Sequence, residues 1–338
     1  MERKGIICGG CWLVDHNNVI DHWPEQDTLA EIVAREFEGG GPAHNMALDL
    51  AHLAPGFPIW AAGVVGNDDA GRFLADACAA RGINHDALKR VDGIGTSHTD
   101  VMTVRATGKR TFFHHQGANA RLTPDHFDFS STPAKILHLG APGVHARMDE
   151  PCGGEPSGWV DVLRRAKNAG IRTNLEMVSG SPEKIRNLVA PCLAHLDTLI
   201  INDYEAGLLT GIDVVSGGVT SAGAARRAAV ALLVRGPLEL VAIHFPGGCI
   251  AATRDGEVIA KPSLDVPPEA IAGANGAGDA FAAGVLYGIH EHWPISDSLT
   301  LGLCSAASAL RSVSTTSAVG TVAECLALAE QWGWRQPI

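Results

Sequence analysis

The residues best suited to chemistry lie in one glycine-rich run, Gly273-Ala274-Asn275-Gly276-Ala277-Gly278-Asp279, followed by an apolar, alanine-rich stretch. That stretch predicts a helix, so the backbone N–H groups of Ala277, Gly278 and Asp279 would point out of its N-terminus, where phosphate groups bind readily. A carboxylate in the first turn could accept the proton of a hydroxyl that attacks such a phosphate. An ordinary glycine turn with an N-terminal Asp would give the same composition. No G-K-[ST] follows, so the run is not a Walker loop.

Two other patterns indicate chemistry less well. Cys8-Gly9-Gly10-Cys11 has C-x-x-C spacing but lacks a second Cys or His pair and a helix start, so we interpret both cysteines as structural residues flanking a turn. Gly9-Gly10 follows a strand signal, yet it lacks the G-x-G-x-x-G spacing of a dinucleotide oxidoreductase. The fifteen histidines include no H-E-x-x-H pattern, which makes a metalloenzyme a weak interpretation.

The elements that must position the glycine-rich run alternate between short apolar strands and helices. Strand signals lie at 6–8, 60–66, 136–139, 172–175, 199–201, 240–243 and 249–252, and helix signals at 43–53, 71–80, 157–169, 221–234, 278–291 and 297–312. Such alternation predicts an α/β fold with a doubly wound, mostly parallel sheet and right-handed crossovers. Residues 15–38 and 96–116 do not fit this strand–helix alternation. The segment 96–116 alternates apolar and polar residues as a hairpin does, with a turn at Gly108-Lys109. We expect the two segments to form a small β lid.

Composition limits the class of protein and its partners. The chain has 338 residues, 46% hydrophobic and 19% charged, as expected for one globular α/β domain over 1–338 with the lid as an appendage. Its net charge of -11 argues against nucleic-acid or anionic-membrane partners. No secretory signal or apolar run of about 18–20 residues is visible. Together with eight scattered cysteines, this predicts a cytoplasmic protein with reduced thiols.

Five short motifs, in the expected order, make this sequence resemble the ribokinase-like (PfkB) family of carbohydrate kinases. They are Gly40-Gly41-Pro42-Ala43-His44-Asn45, Gly63-Val64-Val65-Gly66-Asn67-Asp68-Asp69-Ala70-Gly71, Gly117-Ala118-Asn119, Asn202-Asp203-Tyr204-Glu205 and the run from Gly276 through Leu286. The resemblance extends from about residue 5 to 325. It implies a ribokinase-like fold and ATP-dependent phosphorylation of a hydroxyl of a small sugar or sugar derivative.

The resemblance also implies roles on the phosphate side. Asp279 would be the general base, with Gly276, Ala277 and Gly278 forming the anion hole for the terminal phosphate. Asn202 and Glu205 would organise Mg²⁺ through water, and Asn202 and Gly248 would contact the nucleotide. Without the resemblance, Glu205 is better interpreted as a solvated acid at a helix start.

On the sugar side, the resemblance assigns substrate hydroxyls to Asp15, Gly41 and Asn45, with Asn119 as a further substrate or lid contact. Polar side chains of this kind give a polyol directional bonds inside a mostly apolar pocket. Asp15 could instead be a turn residue of Asp15-His16-Asn17-Asn18, and Gly-Ala-Asn is also ordinary turn chemistry. A homodimer formed through the lid, as in some family members, is compatible with the sequence.

The sequence departs from the family at four places. Gly273-Ala274-Asn275 replaces an Asp-Thr-Thr whose side chains help hold a monovalent cation in many members, which leaves K⁺ activation open. His244-Phe245-Pro246-Gly247-Gly248 replaces a nucleotide-binding T-x-G-x-x-G segment. Leu13 stands where ribokinase has Asn, and the Glu that ribokinase carries near Gly140-Ala141 is absent.

Because of these departures, ribose is not the expected substrate. A nucleoside kinase remains an alternative, which aromatic side chains near the substrate, such as Trp12 or Phe113, would favour. A non-catalytic sugar-binding descendant is a second alternative, against which the presence of Asp279 argues.

Overall fold

The computed structural model describes residues 3–178 and 180–338. Within those residues the strands are β1 (Ile6–Gly10), β2 (Leu13–Ile20), β3 (Ile32–Gly40), β4 (Ile59–Gly66), β5 (Asn84–Val91), β6 (His98–Val104), β7 (Arg110–His115), β8 (Ile136–Gly140), β9 (Arg172–Leu175), β10 (Thr198–Asn202), β11 (Val215–Ser216), β12 (Val219–Thr220), β13 (Leu240–Phe245), β14 (Gly248–Thr253) and β15 (Val258–Pro262). The α-helices are α1 (Pro42–Leu53), α2 (Asp69–Ala79), α3 (Gly158–Asn168), α4 (Pro182–Val189), α5 (Asp203–Thr210), α6 (Ala222–Leu233), α7 (Ala277–His290), α8 (Ile295–Ala309) and α9 (Val322–Trp332).

The large sheet has nine strands in the spatial order β15-β14-β13-β10-β9-β8-β1-β4-β5. The strands from β13 to β5 in that order pair in parallel, whereas β13, β14 and β15 form an antiparallel edge. The predicted doubly wound, mostly parallel fold is therefore confirmed. The antiparallel edge arises because two-residue turns suffice to join β13 and β14, while a parallel neighbour would need a helical crossover.

Two hydrophobic cores lie on opposite faces of this sheet, as the alternation of strand side chains requires. Ile6 and Cys8 of β1 belong to the core that also contains side chains of α1, α7 and α8. Ile7, between them, belongs to the other core, which contains side chains of α3 and α6. Strand β1 continues through Gly10 rather than ending at a turn after Cys8, and both Cys8 and Cys11 are buried free thiols.

A separate four-stranded sheet forms the lid, in the order β3-β2-β6-β7. Its strands come from the two segments, 15–38 and 96–116, that do not follow the strand–helix alternation. Strands β2 and β6 are parallel, and β2 pairs with β3, and β6 with β7, in antiparallel fashion. Because β2 starts three residues after β1 ends, the lid is attached close to the carboxyl end of the central strand.

The chain reverses its direction across the sheet at β1, which has β4 on one side and β8 on the other. In open α/β sheets, ligands bind beyond the carboxyl ends of the strands at such a switch point. No helix within 3–178 and 180–338 has the length and apolar character needed to cross a membrane.

Candidate active site

Helix α7 begins immediately after Gly276, in the glycine-rich run. Gly276 has φ 72°, and a Cβ at this position would lie 2.1 Å from the carbonyl oxygen of Thr315, so only glycine fits without distortion. No side chain of the described residues caps the helix. The first-turn N–H groups, including those of Ala277, Gly278 and Asp279, are thus left for an anionic ligand.

Asp279 lies in that first turn and is half-buried. Its Oδ2 accepts a hydrogen bond of 2.8 Å from Nδ2 of Asn45 in α1. Burial raises the pKa of Asp279 to about 6, although the bond from Asn45 lowers it. A carboxylate with such a pKa is ionised at neutral pH and is a stronger base than an ordinary Asp, which suits proton abstraction from a hydroxyl.

The residues expected on the sugar side lie close to Asp279. Asp15 belongs to β2, so the interpretation of residues 15–18 as a turn is wrong. Gly40 and Gly41 allow the chain to pass closely, because a Cβ at Gly40 would lie 2.2 Å from Oδ2 of Asp15 and one at Gly41 would lie 2.7 Å from the carbonyl oxygen of Cys11. Gly41 then precedes α1, whose first turn leads to Asn45.

Asp15 lies close to other carboxylates, which affect its pKa. Burial raises the pKa of Asp15 to about 7, with further contributions from the charges of Glu38, its cross-strand neighbour, and of Asp279. A hydrogen bond with Thr99 lowers it. Asp15 can therefore exist in either protonation state near neutral pH and can accept or donate a bond to a hydroxyl.

Asn119 lies in a 3₁₀ segment, Gly117–Arg121, and is fully buried. Its Nδ2 donates to the carbonyl oxygen of Trp12 at 3.1 Å and contacts Sγ of Cys11 at 3.4 Å. Its Oδ1 has no hydrogen-bond partner among the described residues. Asn119 thus fixes the chain between β1 and β2, and one acceptor remains available.

Glu176 was not a candidate from the sequence, although it directly follows β9 at the carboxyl edge of the sheet. A Cβ at Gly140 would lie 2.9 Å from Cβ of Glu176, so this side chain occupies the neighbourhood of Gly140-Ala141, where the sequence lacks a Glu. Burial raises the pKa of Glu176 well above its usual range, and the charges of Asp279 and Glu205 raise it further. Its position after a parallel strand is the signal that could have identified it.

Asp49 is a second carboxyl group that the motifs did not indicate. It lies one helical turn after Asn45 in α1, is fully buried, and has no hydrogen-bond partner for either oxygen among the described residues. Burial raises its pKa well above the usual range, and Asp279 adds to the shift. A helix-spacing argument from Asn45 would have placed it on the same face.

Asn202 and Glu205 form a capping box at the start of α5. The Asn202 side chain accepts from the Glu205 N–H at 2.9 Å, and Oε2 of Glu205 accepts from the Asn202 N–H at 3.0 Å. Glu205 is only 7% exposed, so its interpretation as a solvated acid is wrong. Burial raises the pKa of Glu205 to about 7; the Asn202 bonds lower it, and the charges of Asp279 and Asp203 raise it.

A cavity of about 550 Å³ lies on the other side of the α7 start. Its wall includes the helix start at Ala277 and Gly278, the polar residue Asn202 and Gly248, the first residue of β14, together with apolar side chains. The apolar wall residues include Leu264, Val266, Ile271, Phe281, Leu303 and Leu310. Such a cavity, apolar with a few polar groups at one end, can accept the planar base of a nucleotide while the phosphates of that nucleotide reach the helix N-terminus.

His244 occupies the position beneath this helix start. Its Cε1 would lie 3.1 Å from a Cβ at Gly278, and its ring centroid is 5.1 Å from that of Phe281. Burial lowers the pKa of His244 to about 4, so the ring is neutral. It fills space below the anion site without adding positive charge.

The structure thus places the sequence-predicted residues around the first turn of α7. Asp15 of the lid sheet and Asn45 lie close to Asp279, and Gly41 and Asn119 lie against Cys11 next to them. Asn202, Gly248, Ala277 and Gly278 line the cavity on the other side of the helix start. Within residues 3–178 and 180–338 no three His, Cys, Asp or Glu side chains are arranged to hold a metal ion by themselves. The arrangement can hold a polyanion and a polar acceptor on either side of one carboxylate.

Comparisons with known proteins agree with this geometry. The family model described as pfkB family carbohydrate kinase matches residues 11–321. The chain is 27% identical to a fructokinase of Klebsiella pneumoniae over 75% of this chain and 77% of the relative, and 28% identical to a probable chloroplastic fructokinase-6 of Arabidopsis thaliana over 84% and 70%. Its fold is similar to that of an Arabidopsis thaliana ribokinase complexed with ribose and ATP, with TM-score 0.77, 19% identity, and coverage of 97% and 99% of the two chains.

Proposed function

This chain belongs to the pfkB family of carbohydrate kinases, which are ATP-dependent phosphotransferases, and on that premise we propose that Asp279 is the general base that activates a sugar hydroxyl. The observation that carries this proposal is the position of the Asp279 carboxylate. It lies in the first turn of the uncapped helix α7, is bonded to Asn45, and has a pKa of about 6.

In the proposed reaction, the acceptor hydroxyl donates a hydrogen bond to the Asp279 carboxylate. The hydroxyl oxygen forms a bond to the γ-phosphorus of ATP as the bond from that phosphorus to the β-phosphate oxygen breaks, and the proton passes to Asp279. The N–H groups of Ala277, Gly278 and Asp279 stabilise the negative charge on the transferred group. Catalysis of this kind depends mostly on positioning and electrostatics.

The acceptor is a small sugar or sugar derivative held by Asp15, Gly41, Asn45 and Asn119. The free Oδ1 of Asn119 and the partly protonated carboxyl of Asp15 supply an acceptor and a group able to donate or accept. On the nucleotide side, Asn202 and Gly248 line the cavity next to the anion site. Closure of the lid over the acceptor excludes water, which would otherwise compete for the phosphoryl group.

Mg²⁺ would be held near Asn202 and Glu205, in part through water. The residues fit, because Glu205 and Glu176 are buried carboxyl groups whose pKa values are raised, and Oε2 of Glu176 has no hydrogen-bond partner among the described residues. Mg²⁺ keeps several waters and binds through one or two carboxylates plus phosphates, so a complete protein cage is not needed. When bound, the ion would neutralise charge on the transferred phosphoryl group.

Of the two aromatic residues that the sequence indicated for a nucleoside acceptor, Trp12 does not support that alternative. Trp12 is fully buried, and its Nε1 donates to the carbonyl oxygen of Ala62 at 3.1 Å. Phe113 stacks against Trp23 at a centroid distance of 6.2 Å. Trp12 therefore offers no free face to a base, whereas Phe113 is 51% exposed in the lid strand β7 and only one of its faces is covered by Trp23.

The test is ADP release from ATP across a panel of sugars and nucleosides, with and without Mg²⁺, for the wild type and Asp279→Asn. We expect Mg²⁺-dependent turnover of one or more sugars. The variant should lose a factor on the order of 10²–10⁴ in kcat, the usual worth of a general base, while it retains nucleotide binding in calorimetry. Near-normal turnover by Asp279→Asn would remove the assignment of the base, and activity on nucleosides alone would replace the sugar acceptor.

A further inference from the structure

The segment after α9 returns to the nucleotide side of the molecule. The Arg335 N–H donates to the carbonyl oxygen of Ser263 at 2.9 Å, and the Asp265 N–H donates to that of Gly333 at 3.1 Å. Leu264 and Trp334 form the bridge between these two contacts. The segment is therefore fixed beside the cavity wall, although it lies beyond residue 321, where the match to the family ends.

Arg335 lines the nucleotide cavity and is its one Lys or Arg among the wall residues that the structure describes. Its Nη1 donates to the carbonyl oxygen of Pro246 at 3.3 Å, and its Nε is 3.8 Å from Oδ1 of Asp265. A guanidinium has five N–H donors, and the Arg335 side chain is 43% exposed. Donors thus remain for a ligand in the cavity.

The contact with Pro246 locates Arg335 relative to the anion site. Pro246 belongs to the 244–248 segment, which replaces the nucleotide-binding motif typical of the family. His244, beneath Gly278, lies two residues before Pro246, which corresponds to about 7 Å along an extended chain. The carbonyl that anchors Arg335 is therefore displaced from the residue beneath the helix start, where the γ-phosphate would lie, while the Arg335 side chain lines the same cavity.

We propose that Arg335 binds the α- and β-phosphates that ATP and ADP share, and so replaces a contact that the altered 244–248 segment lacks. Arginine suits this role because its planar fork forms paired, charge-assisted hydrogen bonds with phosphate oxygens. The protein carries a net charge of -11, and the cavity wall includes the carboxylate of Asp203, so a local cation is needed where a polyphosphate enters. This inference rests on the proposed use of ATP at this site.

The experiment is calorimetric binding of ADP, AMP and adenosine to the full chain and to Arg335→Ala and Arg335→Gln. Gln keeps an amide that can donate to Pro246 but has no charge. Both variants should weaken ADP binding on the order of 10- to 100-fold, as expected for a lost hydrogen bond to a charged group. AMP should lose less, adenosine binding should be unchanged, and thermal unfolding should match the wild type.

Arg254→Ala is the matched control, because Arg254 follows β14, its Nε donates to the carbonyl oxygen of Leu238 at 3.0 Å, and it does not line the cavity. Wild-type ADP affinity in Arg335→Gln, or an equal loss for ADP and adenosine, would overturn the proposal in favour of a structural role. If the wild type phosphorylates sugars while Arg335→Ala binds ADP normally, only this inference fails. If Arg335 affects ADP binding but no acceptor is phosphorylated, the proposed kinase function fails instead.

Discussion

The two sides of the cleft meet at the first turn of α7 and differ in how they hold charge. The acceptor side collects carboxyl groups, with Asp15 and Asp49 near Asp279. Burial raises the pKa values of all three, and neighbouring carboxylates raise those of Asp15 and Asp49 further. The nucleotide side has mostly apolar walls, backbone N–H groups at the helix start, and Arg335. One side is organised to take up a proton and the other to bind an anion.

This difference explains how one short segment would serve both substrates of the proposed reaction. Asp279 would present a basic carboxylate to the acceptor, while the backbone of the same turn would present its N–H groups to phosphate. Further carboxylates beside Asp203 on the nucleotide side would repel a triphosphate. If the acceptor side were apolar, Asp279 would have neither a hydrogen-bond partner nor a polyol to face. The predictions below alter one side at a time.

Among the variants that alter one side of the site, we expect the largest effect from Gly276→Ala on the nucleotide side. The added Cβ would clash with the carbonyl oxygen of Thr315, and φ 72° is unfavourable for alanine, so the helix start must move. Loss of aligned N–H groups should lower kcat on the order of 10²-fold, similar to removal of an oxyanion donor. Steady-state kinetics with saturating sugar measures this.

Gly256→Ala controls for backbone strain, since Gly256 has φ 94° but open space around it. It lies in the turn between β14 and β15 and lines none of the described cavities near the site. Its rate should equal that of the wild type. An unchanged kcat in Gly276→Ala would show that the helix start is not the phosphate site.

A smaller effect is expected from Asn45→Ala, which alters the acceptor side. The Asn45 bond lowers the pKa of Asp279, so its loss should raise that pKa above about 6. The base acts when it is deprotonated, so kcat/KM of the wild type should rise with pH through about 6. The variant should need a higher pH for the same rise, with a loss of about tenfold at neutral pH, as one charge-assisted bond is worth.

Profiles of kcat/KM against pH for several acceptors test this shift. Asn67→Ala is the matched control, because Nδ2 of Asn67 donates to Oδ1 of Asp92 at 2.8 Å on the exposed surface. Its profile should coincide with that of the wild type. If Asn45→Ala lowers the rate equally at every pH, Asn45 binds the acceptor but does not tune Asp279.

The sequence could predict the parts of the site that depend on local chain geometry. The turn at Gly276, the helix after it and the first-turn carboxylate are all encoded within a few residues, and the strand–helix alternation predicts the sheet. The motif residues Asp15 and Asn45 could be assigned through the family resemblance. Their approach to Asp279 appears only in the fold, because it joins β2, α1 and α7.

Other residues of the cleft could not be predicted because their role depends on distant segments. Glu176 follows β9 but lies against Gly140 at the end of β8, where the family resemblance indicated a missing Glu. Arg335 reaches the cavity only because the segment after α9, a helix that the patterns did not predict, pairs beside Ser263. Parallel strand ends and terminal segments converge through tertiary packing, which short motifs do not encode.

We expect the smallest effect from Asp49→Asn, which should change stability but not the reaction. This variant tests whether the buried carboxyl groups of the acceptor side lower the free energy of unfolding. The folded pKa of Asp49 is raised above the unfolded value of about 3.9, so above that pH the unfolded chain binds fewer protons and stability falls as pH rises. Asn has the same shape without an ionisable group, so Asn should raise Tm by a few degrees at pH 8 and have little effect near pH 4. Asp128→Asn, at an exposed carboxylate whose pKa is lowered by Ser130, is the control and should give no such gain with pH. If the Tm difference between the wild type and Asp49→Asn does not grow with pH, Asp49 must gain a partner when it ionises. The acceptor and nucleotide sides would then differ less in charge than their contacts indicate.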